Sequence, residues 1–346
     1  MKNYIMKHYL AWKKIMVDIN KSTSRLYSRL GQSGSAFAVG LMEASESNGE
    51  IIALTADYEK PAGMTKFANS YPDNFINVGI AEQNLVGIAA GISNEGFKTI
   101  ASCQACFLSM RSFEQVRQYA GYMALPIIFV GVSSGYALTY FGNTHYAIED
   151  ISLMRSIPGM RIISPSDSGQ AAKALVEILK ESKPTYIRCT GDQSIKPIYT
   201  EDFDFKIGKS ITLNEGDDIV IFASGAVTRN ALDAVKMVKE KEDIDIKLID
   251  MHTINPLDIN TLKNNLSARI WITIEEHYIS GGLGTILSEY LTDLNMYKKP
   301  QLKKIGIDNK YVVPGDYKYL LEINGLNSES IYNFIIEELR ALKKSE

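Results

Sequence analysis

The chain has 346 residues, of which 45% are apolar and 22% charged, with a formal net charge of −3; this is long enough for two compact domains with separate cores and too close to neutral to hold nucleic acid or an anionic membrane by a general field. Three cysteines, Cys103, Cys106 and Cys189, are too few and too odd in number for a disulfide framework, which fits a reducing cytoplasm. No stretch reaches the roughly 18 apolar residues of a membrane span, and the N-terminus lacks an apolar core followed by a small-residue cleavage site, so a cytoplasmic protein without an export signal is expected.

Residues 1–33 stand apart as a basic, helical N-terminal extension. Lys2, Lys7, Lys13, Lys14, Lys21, Arg25 and Arg29 face a single acid, Asp18, while Tyr4, Ile5, Leu10, Trp12, Ile15 and Met16 recur at roughly helical intervals. A solvated extension is the first expectation, docking on a partner subunit the second, and membrane-surface attachment a distant third.

From residue 34 short β-branched runs alternate with longer helical patterns, the signature of a parallel sheet covered by helices. Strands are predicted at 51–55, 75–78, 99–101, 127–132, 161–164 and 185–188, with helices at 36–46, 82–94, 112–124 and 168–182, the last capped by Asp167. Residues 193–215 show no sustained period and read as a linker between domains 34–192 and 216–346. The second series places strands at 218–223, 246–249 and 269–274 and helices at 228–241, 283–291 and 328–344. The predicted fold class is thus α/β, with two domains, each a mainly parallel sheet covered by helices. There is no internal repeat and no low-complexity tract.

Phosphate-binding loops of the Walker or dinucleotide type are absent; Gly281-Gly282-Leu283-Gly284 does not complete such a fingerprint. Cys103-Gln104-Ala105-Cys106 lacks the second ligand pair that zinc needs, so two plain thiols are expected. The most informative stretch runs from Asn77-Val78-Gly79-Ile80-Ala81-Glu82-Gln83-Asn84 to Gly91. A carboxylate among so many small and apolar residues is costly to bury unless a charged or proton-donating group meets it. Taken alone, Glu82 reads most simply as half of a core ion pair or as a helix cap.

That stretch closely resembles the pyrimidine-domain motif of the transketolase family, and the resemblance continues through nearly all of the chain after residue 33. It implies thiamine diphosphate as cofactor. Glu82 would hydrogen-bond N1′ of the aminopyrimidine and favour the imino tautomer whose 4′-nitrogen deprotonates the thiazolium carbon. Ile80, beside it in the motif, and Asp57, in the acidic loop Ala56-Asp57, would adjoin the cofactor. Tyr71-Pro72-Asp73 precedes the glutamate strand as in many relatives. Phe107, followed by Arg111 and Phe113-Glu114-Gln115-Val116-Arg117, matches the region whose aromatic ring stacks on the pyrimidine, and Gln104 stands where the family's first pocket aromatic lies. Gly142-Asn143-Thr144-His145 resembles the family's Gly-Pro-Thr-His, which gives His145 proton transfer or substrate hydroxyl binding. Arg188 matches a phosphate-contacting arginine suited to bidentate anion recognition, with pairing to a local acid as the alternative. Ser133 and Phe141 fall where the family has a donor-loop histidine and an acid, so substrate contacts are altered. Ile254-Asn255-Pro256-Leu257-Asp258, Glu275-Glu276-His277 and the Gly281–Gly284 run mark the C-terminal domain, with His277 near the active cleft.

A complete transketolase also carries a Gly-Asp-Gly motif with a downstream asparagine that holds Mg²⁺, or Ca²⁺ in its place, and the diphosphate. Gly191-Asp192-Gln193, Gly216-Asp217-Asp218 and Gly315-Asp316-Tyr317 all fail that pattern. The resemblance therefore implies no metal ligand in this chain, an N-terminal transketolase subunit as partner in an α₂β₂ assembly, self-association through both domains, and ketol transfer between sugars or sugar phosphates in a specialised pathway. Three alternatives are a 1-deoxyxylulose 5-phosphate synthase-like subunit, the beta subunit of an alpha-keto acid dehydrogenase, and a non-catalytic regulatory subunit of the same fold.

Overall fold

The computed structural model describes residues 17–47, 50–190 and 195–344. Helix α1 (Lys21–Ser35) starts at Asn20, whose side chain accepts from the backbone N–H groups of Ser22 and Thr23 while the Thr23 hydroxyl accepts from the N–H of Asn20, a reciprocal capping box. Gly31, at φ 72°, breaks the helical path, and the chain continues through a π-helical stretch, Ala36–Leu41.

Residues 17–33 are not a solvated extension. Val17, Ile19 and Tyr27 are buried in the core of the first domain, and the buried Gln32 amide donates to Pro165 O at 2.8 Å and accepts from Thr190 N at 2.7 Å. The buried face of α1 consists largely of Ser24, Ser28, Gly31 and Gln32 rather than large apolar residues, so hydrophobic periodicity underrated it. Residues 1–16 of the basic segment lie outside the described residues.

The predicted class holds. Among the described residues the first sheet has the order β10-β5-β6-β4-β3-β1-β2, with β1 (Ile51–Thr55), β2 (Phe75–Asn77), β3 (Lys98–Gln104), β4 (Ile128–Val132), β5 (Arg161–Ile163) and β6 (Thr185–Cys189) all parallel. It is covered by α1, α2 (Glu82–Asn94) and α3 (Ser168–Leu179), the last capped by Asp167, whose side chain accepts from Gln170 N at 2.8 Å. The second sheet has the order β12-β11-β8-β9-β7, with β7 (Ile211–Asn214), β8 (Ile219–Ser224), β9 (Lys247–Asp250), β11 (Ile270–Tyr278) and β12 (Gln301–Ile307). Helices α4 (Thr228–Glu242), α5 (Leu283–Asp293) and α6 (Ser328–Lys344) accompany it.

Three strands escaped prediction, each for a local reason. β12 carries Lys303 and Lys304 at its centre and lies at the sheet edge, where charged residues guard an open ladder. β7 falls inside the predicted linker and pairs antiparallel with β9. β10 (Thr253–Asn255), in sequence part of the second domain, pairs antiparallel with β5 of the first sheet. The predicted connection also buries Tyr199 and Phe205, so it is packed into the molecule rather than looping free.

Buried polar groups tie the two sheets together. Arg188, on β6, is 3% exposed; its Nε donates to both Asp150 oxygens, Oδ1 at 3.1 Å and Oδ2 at 2.9 Å, and its Nη2 to the carbonyls of Ala147 at 2.9 Å and Glu276 at 2.7 Å. The Glu276 carboxylate, on β11, accepts from Tyr136 N at 2.7 Å and Tyr317 Oη at 2.8 Å. Nearby, Asp250 Oδ2, at the end of β9, accepts from Tyr199 Oη at 2.6 Å and from Ser166 Oγ and Gln170 Nε2 at 2.8 Å each, while its Oδ1 is buried without a partner among the described residues. Burial pushes the Asp250 carboxyl up to about 6.

Two consequences can be measured. Replacing Arg188 by Met strands Asp150 as an uncompensated buried charge, and urea unfolding is expected to register a loss of about 3–5 kcal/mol, part of which the double variant R188M/D150N recovers. For Asp250 the folded state keeps its proton over a window in which the unfolded chain has lost it, so its contribution falls as pH rises from about 4 to about 6. The stability difference between wild type and Asp250→Asn is expected to move against wild type across that window, by up to roughly 3 kcal/mol, and to level off above it.

Candidate active site

The candidate site lies beyond the carboxyl ends of β3, β1 and β2, at one side of the first sheet, where parallel α/β sheets leave a crevice. A half-open cleft of about 320 Å³ there is lined by Asp57 and Tyr58 after β1, Ile80 and Glu82 after β2, Cys103, Gln104 and Phe107 from the end of β3, and His145. Helix α2 positions the carboxylate. Leu85, Val86, Ala89 and Ala90 are buried on one face, each large apolar side chain contributing about 1.5–3 kcal/mol by its burial, and that face carries Glu82 at the first turn, where the helix dipole favours an anion.

Glu82 is 5% exposed. Its charge is met by Arg111, whose Nη1 stands 2.9 Å from Oε1 and 3.0 Å from Oε2. The sequence signalled only that a partner was needed; which residue supplies it is decided by the turn Phe107–Arg111, which closes with Ser112 N donating to Phe107 O at 3.2 Å, a π-type bond. The exposed Asn77 is a second residue whose part sequence reading missed. Its Oδ1 accepts from Asp57 N and Gly79 N, both at 3.0 Å, pinning the loop after β1 to the loop that leads to Glu82. Asp57 takes φ 53° and Ser133 φ 59°, left-handed values that non-glycine residues hold at a cost, and both lie at strand ends beside the cleft.

His145 completes one wall. Its ring meets Phe107 edge-on at 5.3 Å and Phe141 at 5.2 Å, and its Nδ1 is 2.9 Å from Thr144 Oγ1. The loop is held from the second domain, because Asn143 Nδ2 donates to Val312 O at 2.9 Å and Asn143 Oδ1 accepts from Val312 N at 3.2 Å. Ser133 is reached indirectly, its Oγ 3.2 Å from Tyr58 Oη, and Phe141 is 65% exposed beside His145.

Six of the predicted residues, Glu82, Phe107, Asp57, Gln104, Ile80 and His145, thus line one cleft, with Ser133 and Phe141 at its margin. Arg188 does not join them. Its guanidinium is enclosed by Asp150 and two carbonyls, so it is a structural cation and not a free anion receptor. His277 is fully buried, with Nδ1 2.8 Å from Tyr278 O, and Nε2 3.3 Å from Ser152 Oγ, away from the cleft. The glycines of Gly281–Gly284 make room for a helix cap. Glu275 accepts from Leu283 N at 2.7 Å and Gly284 N at 2.8 Å, and a Cβ on Gly282 would collide with that carboxylate. Cys103 and Cys106 are both buried; burial raises the Cys103 thiol well above its ordinary range and lifts Cys106 to about 12, which leaves them unreactive near neutrality.

The donor set suits an aminopyrimidine ring. The cleft offers a buried carboxylate, an aromatic face, and Gln104 Oε1, a buried acceptor with no partner among the described residues. That last atom is costly to leave unbonded and matches the need of an exocyclic amino group.

Comparison with known proteins agrees with this geometry. Residues 32–193 match the family model of the transketolase pyrimidine-binding domain and residues 208–331 that of the transketolase C-terminal domain. One subunit of the apulose-4-phosphate transketolase of Phocaeicola vulgatus is 34% identical over 305 residues, covering 87% of this chain and 96% of that protein. A solved structure described as a split gene transketolase, inactive beta4 tetramer, superimposes with a TM-score of 0.77 at 34% identity, covering 88% of this chain and 96% of the other. The 1-deoxy-D-xylulose-5-phosphate synthase of Dictyoglomus thermophilum is 32% identical over 89% of this chain, which spans only 49% of that enzyme. The chain therefore belongs to the transketolase family and corresponds to its pyrimidine-binding and C-terminal domains.

Proposed function

We propose that this chain is the C-terminal subunit of a split, thiamine diphosphate-dependent transketolase that moves a two-carbon ketol unit from a ketose donor to an aldose acceptor. The observation that carries the reading is the buried Glu82 carboxylate at the wall of a cleft it shares with Phe107 and the unpartnered Gln104 Oε1. When bound, thiamine diphosphate supplies an acidic thiazolium carbon and an electron sink for carbon–carbon cleavage. Glu82 holds the proton shared with pyrimidine N1′, Gln104 Oε1 accepts an N–H of the 4′-amino group, and the Phe107 ring packs on the pyrimidine face. Asp57 and Ile80 border the ring.

His145 has Nδ1 turned to Thr144, and this supports a role for its Nε2 toward the substrate hydroxyls and their protons. Ser133 and Phe141 shape the donor end, and the exposed phenyl ring of Phe141 makes it less polar than an acid there would. With Arg188 sequestered, an anionic group on the sugar is met by a cation outside this chain's Arg188 position. These substitutions favour a specialised sugar pathway, and three free, buried cysteines fit a reducing cytoplasm.

Mg²⁺ and the diphosphate are assigned to a second chain that carries the diphosphate-binding domain, in an α₂β₂ assembly that also pairs two copies of this chain. The support is that relatives matched over nearly their whole length are one subunit of a transketolase and a beta4 tetramer described as inactive.

The test is reconstitution with a candidate N-terminal transketolase subunit from the same genome. The pair, given Mg²⁺, is expected to bind thiamine diphosphate and turn over a ketose donor, whereas this chain alone does not turn over. Glu82→Gln is expected to lower kcat by about 10²–10⁴-fold. A wild-type pair that binds no cofactor, or an unaffected Glu82→Gln, overturns the assignment. Rapid turnover of xylulose 5-phosphate with ribose 5-phosphate would instead refute the specialised substrate.

A further inference from the structure

Arg111 meets Glu82 in a particular way. A single nitrogen, Nη1, bridges both carboxylate oxygens at 2.9 and 3.0 Å. The guanidinium carbon sits 4.0 Å above the centroid of the Phe107 ring, so the same side chain touches both of the groups assigned to the pyrimidine. Yet Arg111 is not among the residues that line the cleft, and its side chain is 48% exposed while that of Glu82 is 6% exposed. The guanidinium therefore approaches the carboxylate from the side away from the cleft. Stacking on Phe107 is worth about 0.5–2 kcal/mol and orients the planar group.

A carboxylate offers about four acceptor positions. Arg111 takes one on each oxygen from behind, which leaves the others for the cleft. The turn that carries Arg111 is itself pinned, with Ser109 Oγ donating to Ala105 O at 2.7 Å and Ser112 Oγ to Leu108 O at 2.8 Å.

Resting on the proposed role of Glu82, we infer that Arg111 is the positioning residue for that carboxylate: it compensates the buried charge and holds the rotamer in which the remaining lone pairs face pyrimidine N1′. A lysine in its place keeps the charge but loses the planar stack on Phe107. Because the guanidinium is half exposed, the gap left by a shorter side chain is open to a small cation from solution.

The experiment uses the reconstituted complex with Mg²⁺ and compares wild type, Arg111→Lys and Arg111→Ala. Three quantities are read: the thiamine diphosphate dissociation constant by calorimetric titration, the rate of deuterium exchange at the cofactor's C2 by quenched-flow NMR, and kcat with the donor KM. Arg111→Ala is expected to slow C2 exchange and kcat by about 10–100-fold, the scale of a misplaced catalytic group, to weaken cofactor binding several-fold, and to leave donor KM within about threefold. Added guanidinium ion is expected to restore part of the exchange rate, and Arg111→Lys to fall between the other two. Wild-type exchange and affinity in both variants overturn the inference while leaving the function standing. A loss that tracks a lowered melting temperature and resists both guanidinium and lysine also overturns it, because that pattern marks a structural role. Failure of the wild-type complex to bind the cofactor overturns the functional reading, and this inference with it.

Discussion

The buried Arg188–Asp150 pair is the constraint from which the arrangement of the cleft follows. An ionised pair at 3% and 0% exposure is tolerable only when every remaining polar atom is bonded, and here the bonds reach outward. One guanidinium nitrogen bonds the carbonyl of Ala147 in the loop that carries His145, and also the carbonyl of Glu276 on β11 of the second sheet. The second oxygen of Asp150 takes the hydroxyl of Tyr186 at 2.8 Å. The histidine loop and the junction between the two domains are thus fixed by the same cation. A free arginine at this point would serve a phosphate; this one serves the architecture.

A second buried carboxylate shows the same physics put to a different use. Glu82 sits in apolar surroundings, and its charge is compensated by one exposed arginine rather than by a closed network. Asp150 is enclosed by its donors and has no access to a ligand. Glu82 is held from one side and faces a cavity with the other, which is the difference between a structural acid and one able to share a proton with a bound ring. The unpartnered Gln104 Oε1 beside it adds a cost of the isolated chain that a ligand would remove.

How far the site was legible in the sequence depends on whether a residue acts through its identity or through its surroundings. Glu82 was legible because its stretch resembles the transketolase pyrimidine-domain motif; taken alone, a lone acid among glycines, alanines and aliphatic residues reads as half of an ion pair or as a helix cap, and helix α2 does begin at that residue. Phe107 and His145 followed from the same resemblance and lie in one cleft with it. Arg188 was misread because type and position on β6 agreed with a phosphate ligand, while the acid that claims it lies on a separate helix, Asp150–Arg155. Residues 17–33 of the basic N-terminal segment were misread as solvated for a converse reason. Serines, a glycine and a glutamine form the buried face of α1, and polar residues carry no period of burial for pattern reading to detect.

By itself the sequence determined the class of the fold, the order of most strands and helices, and the capping acid Asp167, because these depend on local periodicity, propensity and hydrogen bonds within a few residues; the expected carboxylate and aromatic ring came instead from its resemblance to a family motif. The tertiary structure alone decided which cation faces which acid, that β10 crosses back to complete the first sheet, that β7 turns part of the connection into sheet, and that His277 is enclosed while His145 is presented. Those outcomes depend on pairings between residues far apart in the chain, such as Tyr136 with Glu276. Whether a charged group is desolvated or open is a property of all the neighbours that converge on it, and no stretch of chain carries that information alone.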